Sequence, residues 1–455
     1  MAFVTIDPAT GTPLASYREH SSKQLDALLN RSRSAFESWR TTPLRERARV
    51  LRRVAQTLRR RRNELAALIT AEMGKPLAQS VAEIEKSALG CDFYATHAPE
   101  FLASRRPPHA PANARVTFDP LGPVLAIMPW NFPFWQTLRA AAPALMAGNT
   151  FLLKPAPSTG GCGLALASLF SDAAIPPDLF LTLFVDTPAI AKLIADPRVA
   201  AVTLTGSTRA GKSVAALAGA AMKPATFELG GSDAYLILGD ADLDRAAKIC
   251  AQSRLINSGQ SCIAAKRFIV ERRVRRDFER RLVAETRAAR VGPPTDPSTT
   301  IGPLARADLR DHLHAQVRRS IARGARVLLE GGPLNDRPGF FYAPVVLTDV
   351  APGMPAYDEE LFGPVASIIV VRDEAEAVRV ANQSAYGLGS GVFTRSRARA
   401  RRIAAQLEAG NVAINDFVRS DPSLPFGGVK DSGHGRELAE WGLHAFTNIK
   451  TITSA

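Results

Sequence analysis

The chain lacks any apolar run near the ~18–20 residues of a helical membrane span, so no membrane partner is expected. Its four cysteines, Cys91, Cys162, Cys250 and Cys262, include no pair at CxxC spacing. That argues against a zinc site and a disulfide framework, and no metal is expected. The opening residues, Met1 to Pro8, have neither the basic region nor the apolar core of a signal peptide, so a cytoplasmic location is expected. Internal repeats and low-complexity linkers are missing too. Acidic charge is scarce: 43 Asp and Glu stand against 57 Lys and Arg, a net charge of +14. Such an excess invites a nucleic-acid reading. Much of it, however, lies in Arg45–Arg62, where Leu44, Ala48, Leu51, Val54 and Leu58 recur at helical spacing. The arginines then form the opposite, solvated face. No aromatics are interleaved for base stacking, and no nucleic-acid partner is expected.

At 455 residues the chain is long enough for two or three domains, and its 46% hydrophobic and 22% charged content is ordinary for a globular protein. The first hundred residues read as mainly helical: one helix from about Leu25, a longer one from about Pro43 to Gly74-Lys75-Pro76, and a third over Leu77–His97. A proline-rich stretch at 106–111 leads into an extended segment around Val116-Thr117-Phe118. Short apolar runs then alternate with helical segments. Strands are predicted at Val124–Met128, Thr150–Leu153, Phe180–Val185 and Val199–Thr205, and a second series at Ala234–Leu238, Arg267–Val270, Ala366–Val371 and Asn411–Ile414. This alternation predicts an α/β fold with two parallel-sheet lobes and a cleft between them.

Two segments carry the chemistry. Glu228 sits in Phe227-Glu228-Leu229-Gly230-Gly231-Ser232, and Cys262 in Asn257-Ser258-Gly259-Gln260-Ser261-Cys262. Glycine admits a close ligand, and a glutamate can act as general base where cysteine is the nucleophile. The run Val202–Lys212 reads as strand, glycine turn and helix start. Gly206 and Gly211 are spaced like the outer glycines of GxGxxG, with Thr208 in place of the middle one. It is either a pyrophosphate cradle or an ordinary strand-to-helix turn. In Pro129-Trp130-Asn131-Phe132-Pro133, the Asn131 amide either serves as an oxyanion donor or satisfies a turn.

Six motifs occur in order: Pro-Trp-Asn-Phe-Pro at 129–133, Gly-Ser-Thr at 206–208, Glu-Leu-Gly-Gly at 228–231, Gly-Gln-Ser-Cys at 259–262, Glu-Glu-Leu-Phe-Gly-Pro at 359–364, and Pro-Phe-Gly-Gly-Val-Lys-Asp-Ser-Gly at 425–433. Over nearly its whole length the chain resembles the aldehyde dehydrogenase superfamily. The resemblance implies that Cys262 attacks the aldehyde carbon, that Asn131 and the Cys262 N–H hold the oxyanion, and that Glu228 activates water to release the acid. It places Trp130 and Lys154 near the adenosine ribose, Gly206, Ser207 and Gly211 around the pyrophosphate, and Glu360 and Phe362 at the nicotinamide end. Where NAD-preferring relatives often carry a glutamate, this chain has Pro157, so NAD or NADP, with use of both, is expected.

The region Arg419 to Leu438 is similar to a bacterial branch of succinate-semialdehyde dehydrogenases. By that resemblance Arg139 takes the substrate carboxylate, or else is a helix-surface arginine. The relatives' second arginine falls on Ile256, with Arg254, Ser420 or Ser423 as possible compensation. The resemblance also implies a cofactor domain of residues 1–101 and 121–230, a catalytic domain of 231–430, and a small β oligomerisation element and tail of 102–120 and 431–455, giving a homodimer or dimer of dimers. Two other readings remain open: a dehydrogenase of neutral aldehydes, and a non-catalytic binding protein.

Overall fold

The computed structural model describes residues 2–171 and 175–454. Its first sheet has five parallel strands in the spatial order Phe180–Thr182, Phe151–Lys154, Val124–Ile127, Ala201–Thr205, Ala225–Glu228. Helices cover both faces of such a sheet, which is why strands like Val-Leu-Ala-Ile and Phe-Leu-Leu-Lys are apolar without alternation. The chain builds outward from Val124–Ile127 in one direction, then restarts beside it with Ala201–Thr205. That reversal is a topological switch point, where the loops leaving the strand ends diverge and open a crevice. Asn131 and Gly206 lie on those two loops.

The second sheet has seven strands, ordered Arg326–Leu329, Val345–Thr348, Val365–Val371, Ala265–Glu271, Asp233–Ile237, Gly389–Phe393, Asn411–Ile414. Only its edge pair, Arg326–Leu329 with Val345–Thr348, is antiparallel. Ala114–Pro120 and Thr447–Thr453 form a separate antiparallel ribbon. Among the described residues, no helix is long and apolar enough to cross a membrane.

All eight predicted strand regions contain strands, though Phe180–Val185 shortens to Phe180–Thr182 and Val199–Thr205 starts at Ala201. The mainly helical reading of the N-terminus needs correction: Ala2–Ile6 and Pro13–Arg18 form a hairpin. The second of these strands is largely exposed, so it carries no apolar run to betray it. The helix predicted from Pro43 is two, Leu44–Arg60 and Arg62–Met73, broken where Arg61 leaves helical geometry (φ −94°, ψ 11°). It stops at Gly74 in the left-handed conformation (φ 76°), as the sequence indicated. The arginine-rich face is not wholly solvated either. Arg47 is buried and donates to the Met146 carbonyl at 3.0 Å and to that of Arg40 at 2.8 Å, tying two helices together.

Candidate active site

Cys262 follows a one-turn 3-10 segment, Ile256–Gly259, that ends the helix Leu243–Leu255. Asn257 (φ 53°) and Ser258 (φ 55°) are both left-handed, an uncommon state for residues with side chains. Neighbours hold them there. The Asn257 N–H donates to Gln79 Oε1 at 2.8 Å and its side-chain amide to the Asn131 carbonyl at 2.8 Å, while Ser258 Oγ donates to the Gly302 carbonyl at 3.1 Å. The Asn131 amide in turn donates to the Gln260 carbonyl at 3.0 Å. One hydrogen of that amide locks the cysteine loop, and the other is left for a ligand. The turn reading and the donor reading of Asn131 are therefore compatible.

The other three cysteines are buried, and only Cys262 is partly exposed. Burial pushes its thiol up to about 12; the nearby Lys266 and Arg139 charges pull it down, and those of Glu228 and Glu360 push it up. Lys266 is buried beneath the loop, donating to the carbonyls of Ser261 at 3.0 Å and Cys262 at 2.7 Å and pairing with Glu360 at 3.4 Å. Sequence reasoning did not single out Lys266, although its place four residues after the cysteine was a usable signal.

Glu228 ends the strand Ala225–Glu228 and is 1% exposed. Neither of its carboxylate oxygens has a hydrogen-bond partner. Burial is the main reason its carboxyl is raised to about 8, with repulsion from Glu437 added and attraction from Arg139 and Arg436 opposing. A buried carboxyl poised near neutral pH with its oxygens unengaged suits a general base.

Arg139 lies on the helix Pro133–Ala147, every residue of which is buried, so the helix-surface alternative falls. Its guanidinium pairs with the buried Glu437, lies 3.4 Å from Thr205 Oγ1 and stands 5.0 Å from the centre of the Phe426 ring. Glu437 is a second residue that sequence reasoning missed.

At the nucleotide crevice, Trp130 meets Phe362 edge-on with ring centres 5.7 Å apart. Glu360 Oε1 accepts the Gly231 N–H at 3.0 Å, and its other oxygen would lie 2.5 Å from a Cβ at Gly230. Ser207 caps the helix Thr208–Ala220, its Oγ accepting the Ala210 N–H. Gly206 precedes it, its N–H donating to the Glu228 carbonyl at 2.9 Å. Gly211 faces the protein, since a Cβ there would lie 2.4 Å from Leu229; it sets the helix close against the following strand. Lys154 ends a central strand, and burial lowers its ammonium. Pro157 opens a short 3-10 turn just beyond and is exposed. These residues fit a dinucleotide: a helix N-terminus at the switch point, an aromatic pair, and a cation with no acidic residue in the Pro157 position.

A cavity of about 870 Å³ opens at Cys262, walled by Phe132, Trp135, Ile256, Phe417 and Phe426 among others. Arg139 and Ser420 line it, whereas Arg254 and Ser423 do not. Arg254 is buried with its guanidinium on the Gly259 carbonyl, and Ser423 is exposed and bound to Asp421. A third residue, this one lining the cavity, escaped sequence reasoning. Lys86 lies on the helix Leu77–Phe101, on the face that also carries Gln79, Ala82 and Glu83. They share one helix face, but it has no apolar periodicity, so the sequence carries no signal for the cavity.

A thiol beside a free amide donor, a buried carboxyl with unengaged oxygens and a crevice at the switch point together suit an oxidoreductase that works through a covalent cysteine adduct. A model described as the aldehyde dehydrogenase family matches residues 1–452, and the chain belongs to that family. It is 45% identical to the NAD(P)+ succinate semialdehyde dehydrogenase Sad of Escherichia coli K12 (99% of this chain, 97% of the relative). Identity is also 45% to the NADP+ succinate-semialdehyde dehydrogenase 1 of Mycobacterium tuberculosis H37Rv, over 99% of both chains. The crystal structure of a Streptococcus pyogenes succinic semialdehyde dehydrogenase in complex with NADP+ superposes with a TM-score of 0.95 at 37% identity, covering 99% of each chain.

Proposed function

We propose that the protein oxidises succinate semialdehyde to succinate with NAD(P)+. The observation that carries this reading is the cavity at Cys262, which joins the rings of Phe132, Trp135, Phe417 and Phe426 to the cationic and hydroxyl groups of Lys86, Arg139 and Ser420. The names of the relatives support the same substrate. In the first step the Cys262 thiol gives up its proton to solvent as the sulfur attacks the aldehyde carbon, and the second Asn131 amide hydrogen with the Cys262 N–H stabilises the oxyanion. A nicotinamide held near Glu360 and Phe362 would supply the hydride acceptor, and Cys262 would then carry the acyl group as a thioester. Glu228 then removes a proton from water, the resulting hydroxide adds to the thioester carbonyl, and the C–S bond breaks to release the acid and the thiol.

For the cofactor, Lys154 suits a ribose 2′-phosphate, and no carboxylate at position 157 repels it, which supports use of NADP as well as NAD. Residues around the five-stranded sheet form the cofactor domain in this reading, and those around the seven-stranded sheet the catalytic domain. The ribbon of Ala114–Pro120 and Thr447–Thr453 serves oligomerisation, because its unpaired edge and exposed Ile449 and Ile452 are a liability unless covered by a second copy. A reducing cytoplasm would keep Cys262 a thiol.

The test is NAD(P)H formation followed by absorbance, with succinate semialdehyde and butyraldehyde as substrates and NAD and NADP in parallel. Preferred turnover of succinate semialdehyde is expected, with either cofactor. Equal kcat/KM for the two aldehydes would favour the neutral-aldehyde reading, for which Ile256 is the supporting residue.

A further inference from the structure

We infer that Lys86, acting with Ser420, is the cationic anchor for the substrate carboxylate and the residue that sets the enzyme's preference for an acidic semialdehyde. This rests on the succinate-semialdehyde reading above and deepens it.

Cation bookkeeping in and around the cavity leads there. Arg139 is already matched by Glu437, one buried positive charge against one buried carboxylate. Lys75 is matched by Glu83, which also accepts the N–H groups of Phe134 at 2.9 Å and Trp135 at 3.2 Å at the start of the Arg139 helix. Arg419 pairs with Asp416 at 2.8 Å and stacks on Phe417, and Lys248 is exposed at the cavity mouth. Lys86 is half-buried and, among the described residues, forms no ion pair.

Its ammonium donates to Ser420 Oγ at 2.8 Å and lies 4.4 Å from the Trp135 ring centre. Trp135 Nε1 donates to the same oxygen at 3.0 Å. With both lone pairs of Ser420 Oγ engaged, its own hydrogen is left to donate. No acceptor for that hydrogen occurs among the described residues. An ammonium with spare N–H groups and a hydroxyl obliged to donate thus converge in a cavity lined by apolar rings. That pair matches a carboxylate, which takes charge-assisted hydrogen bonds on both oxygens.

The arrangement also compensates for Ile256, which lies in the same wall and brings no charge. Burial lowers the Lys86 ammonium to about 8; Arg139 and Arg419 push the same way, while Asp421 and Glu83 oppose. A cation held near its titration point at a real desolvation cost gains most from an anionic ligand.

The experiment measures kcat/KM for succinate semialdehyde and butyraldehyde in the wild-type enzyme and in Lys86→Met and Lys86→Arg. Lys86→Met should lower kcat/KM for succinate semialdehyde about 10- to 100-fold more than for butyraldehyde, mainly through KM, as befits loss of one charge-assisted contact. Lys86→Arg should recover most of the preference. Thermal midpoints are compared in parallel, and Lys86→Gln carries the same test should the methionine variant not fold. A wild-type preference that survives in Lys86→Met overturns this inference alone. A wild-type enzyme with no preference overturns the substrate reading and this inference with it.

Discussion

Under the proposed mechanism, Glu228 links activity to stability through one buried side chain. Its carboxyl is raised to about 8, chiefly by burial, so at neutral pH the folded protein holds a proton there. The carboxylate is the form able to take a proton from water. Thioester hydrolysis should therefore quicken as pH rises and level off above about 8. A single-turnover measurement of acid release across that range checks it, and a pH-independent rate would contradict it. The same shift carries a cost. An unfolded glutamate ionises near ~4.3, so between there and about 8 the unfolded chain releases a proton that the folded one keeps. Stability from this group is fully present below the lower value and is lost as pH rises through the window. Glu228→Gln should thus gain thermal midpoint relative to wild type progressively with pH. A constant offset would mean that the carboxyl is not buried neutral. At this scale the placement was legible: Cys262, Glu228 and Asn131 stand in three separate motifs, and the fold brings them to one site. Lys86 and Glu437 were not legible as site residues, because a helical lysine and a loop glutamate acquire meaning only from what the fold places opposite them.

Among the elements, the segment Asn257–Gly259 does most to aim Cys262. Gly259 has a positive φ of 77°, and a Cβ there would lie 2.3 Å from the Gly363 carbonyl carbon. Gly259→Ala should push the loop off its seat on Gly363-Pro364. An ångström of misplacement can cost on the order of 10²-fold in rate. The expected outcome is a comparable loss of turnover with the circular dichroism spectrum retained, together with an altered rate of Cys262 alkylation by iodoacetamide; unaltered kinetics would show that the loop tolerates the methyl group. Element boundaries were readable where apolar pattern and packing agree. The strand Gly389–Phe393 was not, since its glycines are there for room: a Cβ at Gly391 would lie 2.1 Å from the Tyr235 ring and one at Gly389 2.1 Å from Asp233. The N-terminal hairpin escaped for the opposite reason, having a largely exposed strand with nothing to bury.

For the whole molecule, the alternation of apolar runs with helical segments was enough to predict two α/β lobes, and the switch-point order explains why Asn131 and Gly206 share a crevice. The net charge of +14 misleads if read alone, because many arginines are spent on local ion pairs such as Arg59 with Glu85 and Asp92, or Arg399 with Asp240, Glu271 and Glu374. Assembly has its own test. Light scattering should return a multiple of the 48.8 kDa chain mass, and replacing Ile449 and Ile452 (61% and 49% exposed) together by aspartate should reduce it. A wild-type mass of 48.8 kDa would remove the proposed interface. The central claim is that one thiol carries the oxidised substrate and one carboxylate releases it. Its most direct test is intact-protein and peptide mass spectrometry of Glu228→Gln mixed with succinate semialdehyde and NADP+. A succinyl adduct on the Cys262 peptide, formed with one equivalent of NADPH, is the expected result. NADPH without an adduct, or an adduct on another residue, would contradict it.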